Sequence, residues 1–240
     1  MPKIRLDKFL AERGVASRRE LKEIIRQGRV KIDGEPAKTP DQKLDPELQR
    51  VTVDGAPVRA SAYRSFMLDK PLGYVTATED AEQQTVMDLF PPELRRIGLS
   101  PVGRLDKDTS GLLLLTNDGD LAHRVISPRS AVEKRYHAKV DGVLDESDVS
   151  AFREGIELRD GTHCLPAGLE ILSPDEGIVS IKEGKYHQVR RMFASRGKPV
   201  LTLRRLSIGA LQLDPSLGPG GWKELDEKDL CTVFSPFHME

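Results

Sequence analysis

Four consecutive leucines, Leu112 to Leu115, lie between a polar stretch that opens at Gly103 and the triplet Asn117-Asp118-Gly119. An apolar run of that length predicts a buried strand and is far too short to cross a bilayer. The preceding Gly103-Arg-Leu-Asp-Lys-Asp108 segment is then a Gly-bounded polar loop anchored on that strand. Asn117-Asp118-Gly119 reads as a tight turn, because Asn and Gly tolerate positive φ. A carboxylate on an anchored loop, here Asp106, can serve as a fixed nucleophile or base. Spacing alone also allows the simpler outcome that Asp106 or Asp108 caps a turn, as Asp often does for local reasons.

A chain of 240 residues suits one large domain, or a small one followed by a medium one. Lys and Arg number 37 against 38 Asp and Glu, so the whole-chain balance identifies no partner. The local balance does. Residues 1–31 hold ten bases and four acids, and residues 185–206 hold seven bases and no acid. Two basic segments on a near-neutral chain point to a polyanion that touches selected surfaces. Cys164 and Cys231 are far apart and form no CxxC pair, so neither a zinc site nor a disulfide framework is expected, and a reduced, cytoplasmic compartment is the default. The N-terminus has no apolar signal region, no run reaches membrane length, and neither a Walker loop nor a GxGxxG fingerprint occurs.

Leu6, Phe9 and Leu10 share one helical face between Leu6 and Arg13, and Gly14 closes that helix. Ser17 can cap a second helix from about Arg18 to Gln27, with Leu21, Ile24 and Ile25 inward. Val30 and Ile32 alternate with polar residues before an Asp33-Gly34 turn, and Val51-Thr-Val53 precedes Asp54-Gly55. Arg18, Arg19, Lys22, Arg26 and Arg29 recur on the side away from the isoleucines, a pattern open to a membrane surface or to RNA. This first unit resembles the small RNA-binding domain first recognised in ribosomal small-subunit protein four. The residues that carry the likeness are Arg5-Leu-Asp-Lys-Phe-Leu10, Ser17-Arg-Arg19 and Gly28-Arg-Val-Lys-Ile-Asp-Gly34.

A domain is expected over residues 1–60 and a second over 61–240, joined by a linker between Ala56 and Arg64. In the second, strands are expected at Ser65 to Leu68, Gly111 to Leu115, Arg135 to Val140, Gly168 to Leu172, Ile178 to Ile181 and Val200 to Leu203. Helices are expected at Ser147 to Glu154 and Tyr186 to Ser195. Mixed elements without regular βαβ units predict an α+β fold with a mixed, largely antiparallel central sheet.

Met67-Leu-Asp-Lys-Pro-Leu-Gly-Tyr-Val75, Gly103-Arg-Leu-Asp106, Glu133-Lys-Arg-Tyr136, Glu183-Gly-Lys-Tyr-His-Gln-Val-Arg-Arg-Met-Phe193 and Leu203-Arg-Arg-Leu-Ser-Ile-Gly209 follow one another in order. In order and spacing they resemble the pseudouridine synthases, specifically the RsuA-type ribosomal RNA branch, which also carries the N-terminal RNA-binding domain. The resemblance implies isomerisation of a uridine in small-subunit (16S) ribosomal RNA, on a base flipped out of the folded RNA at a cost of about a few kcal/mol. It implies Asp106 as nucleophile toward C1′, Tyr136 stacked on the uracil and assisting loss of the C5 proton directly or through water, and Arg190 paired with the carboxylate. Arg5, Lys8, Arg18, Arg19, Lys22, Arg26, Arg29, Arg104, Arg191 and Arg205 are then expected on RNA. Lys70-Pro71 is a structural match, and Leu105 is expected to pack under the loop. His187 is read as structural or RNA-facing. No metal or cofactor is implied, since nothing is oxidised or lost. Members of this branch act as monomers. The competing readings are a non-catalytic RNA-binding or ribosome-assembly factor, and a glycoside or nucleoside hydrolase using paired carboxylates such as Asp106 and Asp108.

Overall fold

A computed structural model describes residues 3–59 and 62–237. They divide into two compact units, one of residues 1–64 with Phe90–Leu99, the other of Ser65–Leu89 with Ser100–Glu240. The sequence places the boundary after residue 60; the contacts place it before Ser65 and return the ten-residue segment Phe90–Leu99 to the first unit.

The first unit is built on two short helices, α1 (Leu6–Glu12) and α2 (Arg18–Arg26). Ser17 caps α2 in a reciprocal box with Glu20, so two N-terminal amide groups are satisfied at once. Leu6, Phe9 and Leu10 of α1 and Leu21 and Ile25 of α2 bury against a small antiparallel sheet. Its strands are β2 (Val30–Ile32), β3 (Glu35–Pro36), β5 (Val51–Val53) and β6 (Ala56–Pro57). A separate pair joins β1 (Ile4–Arg5) to β4 (Lys43–Leu44). Asp33-Gly34 and Asp54-Gly55 turn with φ of 52° and 90°, and 50° and 83°, the left-handed pairs that tight hairpins need. Ala56–Pro57 is a strand on β5 rather than linker, and residues 60 and 61 of the expected linker lie outside the described residues. A third helix, α3 (Pro92–Arg96), completes the unit; its C-terminal Ile97 comes so near Gly14 that a Cβ there would meet Ile97 Cγ2 at 2.6 Å.

The second unit carries the predicted α+β arrangement. Its strands are β7 (Ser65–Lys70), β8 (Ser100–Val102), β9 (Ser110–Thr116), β10 (Lys134–Val140), β11 (Gly168–Ser173), β12 (Glu176–Ile181), β13 (Val200–Ile208), β14 (Leu211–Gln212) and β15 (Trp222–Glu224). They run β11-β12-β10-β13-β9-β7-β15, with β14 beside β13 and β8 beside β9. Every pairing is antiparallel except β13 with β9. Leu112 to Leu115 are completely buried in the middle of β9. The helices are α4 (Gly119–Ile126), α5 (Glu146–Glu154), α6 (Gln188–Ser195) and α7 (Glu227–Thr232).

Two local expectations are corrected. Asn117-Asp118-Gly119 is not a positive-φ turn: Asp118 is the N-cap of α4, its carboxylate accepting from the amides of Asp120 and Leu121. An Asp before Gly signals a cap as readily as a turn, and the apolar face of Leu121 and Val125 decides for the helix. The helix expected from Tyr186 starts at Gln188, because His187 is left-handed, with φ of 48°, and cannot lie within it.

The parallel junction of β13 and β9 places the site. Arg204 pairs with Ser110 and Arg205 with Gly111. Gly111 has φ of +102°, and a Cβ on it would lie 2.2 Å from the Arg205 carbonyl oxygen. Only glycine lets the two backbones come this close. On its other edge β13 pairs with β10, where Tyr136 faces Arg205 and Lys134 faces Ile208, while Leu206 is left without a partner. That extra residue is a bulge, and it restores Ile208 to the face that Arg205 already occupies.

Candidate active site

The Gly103–Thr109 loop enters β9 under close restraint from residues 70–76. The Thr76 hydroxyl donates to the Leu105 carbonyl at 2.6 Å and accepts from the Leu105 amide at 3.2 Å. Gly73 N–H donates to the Lys107 carbonyl at 2.9 Å. The Lys70 ammonium, completely buried, donates to the carbonyls of Pro71, Asp106 and Thr109 at 3.0, 3.0 and 2.9 Å. Three N–H bonds thus meet three carbonyls, and each ammonium proton is used. Burial pushes Lys70 down to about 8, against the attraction of Asp106 and Asp108. Leu105 is buried as expected, at 5% exposure.

This clamp presents the Asp106 side chain to a cavity of about 530 Å³, within the range of small-ligand sites. Asp106, Arg104, Tyr136, Lys134, Lys185, His187 and Arg205 line it with Val125, Ile126, Ile181, Leu203 and Ile208. The Asp106 carboxylate stays about one-third exposed, and its Oδ1 lies 3.3 Å from His187 Nε2. The His187 ring stacks on Tyr186, centroids 3.9 Å apart, and Tyr186 is exposed at the rim. His187 therefore stands on the nucleophile candidate itself, a contact that its left-handed backbone allows and that the sequence did not disclose.

Tyr136 and Arg205 form one cross-strand row of the cavity floor. Arg205 is only 4% exposed; its Nε donates to the Leu112 carbonyl at 2.7 Å and its Nη1 to the Tyr136 hydroxyl at 3.5 Å. Its Nη2 is buried without a hydrogen-bond partner among the described residues. Arg205, expected on RNA, is a buried residue of the cavity floor.

Arg190 does not take the expected place. Its guanidinium donates to the Asp108 carbonyl at 2.8 Å, lies 3.0 Å from Asp108 Oδ2, and reaches the Val200 carbonyl at 3.3 Å. Among the described residues it has no hydrogen bond or ion pair with Asp106, and it does not line the cavity. The helical register of α6 turns it toward the end of the loop, and the guanidinium inside the cavity is that of Arg205. Arg191 is paired with Asp160 and reaches the Tyr186 carbonyl. The turn before α6 is fixed by Glu183, which accepts from the Leu165 amide, Lys185 and Gln188; burial opposes its charge, but these bonds hold it below the usual carboxylate range.

On the first unit, Arg5 is bound to Asp7, Lys8 lies 3.7 Å from Glu12, Arg26 is bound to Glu23 and Arg29 to Asp54. Arg18, Arg19 and Lys22 are exposed on α2 and have no hydrogen bond or ion pair from their side chains among the described residues. These three are the cations of that face with no intramolecular ion pair to surrender.

Among the described residues no group of three or more His, Cys, Asp or Glu side chains is placed to hold a metal ion, and no helix is long and apolar enough to cross a membrane.

The family model described as RNA pseudouridylate synthase matches residues 64–195, and that of the S4 domain matches residues 4–49. A Bacillus subtilis (strain 168) protein named Uncharacterized RNA pseudouridine synthase YtzG is 45% identical over 237 residues, spanning 97% of this chain and 99% of its own. Ribosomal small subunit pseudouridine synthase A of Escherichia coli (strain K12) is 40% identical over 232 residues, spanning 96% of this chain and 100% of its own. A solved crystal structure of pseudouridylate synthase aligns with a TM-score of 0.69 at 37% identity, over 96% of this chain and 99% of that one.

Proposed function

The chain belongs to the RNA pseudouridylate synthase family, and from that membership we propose that it converts a uridine of small-subunit ribosomal RNA to pseudouridine with Asp106 as the nucleophile. The observation that carries this reading is the Asp106 carboxylate, held by its clamped loop at a cavity floored by Tyr136 and Arg205. The substrate is supported by relatives of near-equal length that are named for the small ribosomal subunit.

In this reading Asp106 meets C1′ of an extruded uridine as the C1′–N1 bond breaks, and the bond's electron pair leaves with the base. The uracil turns, C5 joins C1′, and the carboxylate is released. The C5 proton is then lost to Tyr136 or to water, and N1 gains one. Nothing is oxidised or reduced, so the chain's own side chains suffice. Arg205, rather than Arg190, is the guanidinium of the site. Its free Nη2 suits it to an oxygen of the bound nucleotide or to the Asp106 carboxylate. Arg190 braces the loop through Asp108. The first unit supplies affinity through α2, with Arg18, Arg19 and Lys22 on phosphates, and the second supplies the chemistry. The protein works as a monomer in the cytoplasm.

The test is incubation of purified protein with small-subunit ribosomal RNA, digestion to nucleosides and their separation. Wild-type protein yields pseudouridine, and Asp106→Asn yields none while holding RNA within about twofold of wild-type affinity, since a neutral isostere changes no phosphate contact. Tight binding without product by the wild type would make the chain a binding or assembly factor, and free uracil would make it a hydrolase.

A further inference from the structure

Lys134 is a cation lining the cavity for which the reaction outlined above has no use. It lies two residues before Tyr136 on β10, so both side chains leave the same face of the strand, roughly 7 Å apart along it. Its cross-strand neighbours are Ile181 on β12 and Ile208 on β13, and all three line the cavity. The Lys134 stem is therefore flanked by two apolar side chains. The ammonium has no hydrogen bond or ion pair among the described residues. Lys70, by contrast, is saturated by three carbonyls, and Lys185 is bound to Glu183. Burial, aided by repulsion from Arg205, pushes Lys134 down to about 8, so the group remains mostly protonated at neutral pH. An unpaired, half-buried ammonium is costly to a folded protein, and such a cost is characteristic of sites that await a ligand.

We propose that Lys134 is a further catalytic residue, whose ammonium binds an exocyclic oxygen of the detached uracil and neutralises the negative charge that the base carries between cleavage and rejoining. The inference rests on the uridine-isomerase reading and deepens it. When C1′–N1 breaks, both electrons go to the base, and the uracil becomes a monoanion whose charge spreads onto its ring nitrogen and carbonyl oxygens. The charge disappears when C5 takes C1′ and the Asp106 oxygen departs. A fixed cation on the floor is stronger toward that anion than toward neutral uridine, which is the condition for raising the rate rather than the affinity alone. Phosphate is the other anion available. It remains with the RNA chain, whereas Lys134 emerges between Ile181 and Ile208 beside the Tyr136 ring; exposed Arg104 is better suited to phosphate.

Lys134→Met and Lys134→Arg test this with small-subunit ribosomal RNA under single turnover. Asp106→Asn serves as the inactive control, and the single tryptophan, Trp222, reports unfolding of the same unit. Lys134→Met is expected to lower the rate at saturating protein by about 100-fold, the range seen when one charge-stabilising donor is removed. Its RNA affinity should stay within about twofold. Its unfolding midpoint should be unchanged or higher, since the substitution removes an uncompensated charge. Lys134→Arg should recover most of the rate. A wild-type rate in Lys134→Met overturns the proposal. So does a deficit that vanishes at saturating protein, which would place Lys134 on phosphate, and so does a lowered midpoint that Lys134→Arg repairs without repairing the rate. Absence of pseudouridine from the wild-type reaction would remove the isomerase reading and this inference together; the preceding outcomes remove only the inference.

Discussion

Replacing Lys70 with methionine removes the ammonium that ties β7 to the nucleophile loop while nearly conserving volume. Three hydrogen bonds are lost, to the carbonyls of Pro71, Asp106 and Thr109. Bonds from a charged donor contribute about 1.5–3 kcal/mol each, so roughly 5–9 kcal/mol disappears. Against this stands the burial of the charge, which takes Lys70 from 10.5 to about 8. Relief of that burden returns roughly 3 kcal/mol. The net loss is on the order of 2–6 kcal/mol, which lowers the midpoint of a domain this size by roughly 5–20 °C. Trp222 lies on β15, paired with β7 through Leu68, so its fluorescence follows the strand that carries Lys70. Thermal unfolding followed at that tryptophan is the assay, with pseudouridine formation below the transition as its companion. Release of the loop should displace Asp106 and reduce the rate by about 100-fold even where the protein is folded, as misplacement near 1 Å does. A midpoint within about 2 °C of wild type, together with an undiminished rate, would refute the claim that Lys70 holds the loop.

Gly111→Ala should cost more than about 4 kcal/mol or prevent folding, because its Cβ has no space before the Arg205 backbone, whereas Gly119→Ala, with nothing within 4 Å, should be neutral or stabilising; urea denaturation of both separates the two. Changing Arg18, Arg19 and Lys22 together to glutamine should weaken RNA binding without altering the rate at saturation. It should also reduce the slope of log affinity against log salt by roughly 2–3 units, measured by filter binding across a salt series.

The apolar runs and turn chemistry carried most of the fold. Leu112 to Leu115 could hardly be anything but a buried strand, and Ser17 marked the start of α2. The strand at Val200 was harder to read past Leu203, because Arg204 and Arg205 interrupt its apolar character. The fold accommodates both: Arg204 reaches buried Asp69 at 2.8 Å, and Arg205 reaches the Leu112 carbonyl. Those partners are 135 and 93 residues away, beyond any local pattern. The same limit misdirected Arg190. Sequence put a basic residue near the loop, but only the register of α6 against the loop selects Asp108 over Asp106. Lys134 was within reach, since strand period two places it on the face of Tyr136, and that signal lay in Glu133-Lys-Arg-Tyr136. His187 was not, because its proximity to Asp106 follows from a left-handed residue that nothing in the local sequence demands.

The unpaired Leu206 shows how this floor is inherited. Without the bulge, strict alternation along β13 would turn either Arg205 or Ile208 to the opposite side of the sheet, because the two stand three positions apart. Substituting Leu206 by another residue leaves the bulge in the backbone, and deleting it would leave the two positions two apart, where regular alternation already puts them on one face. The shared face of Arg205 and Ile208 is thus set by the backbone of β13, indifferent to what side chain stands at the odd position. Drift by point replacement at that position leaves the arrangement intact.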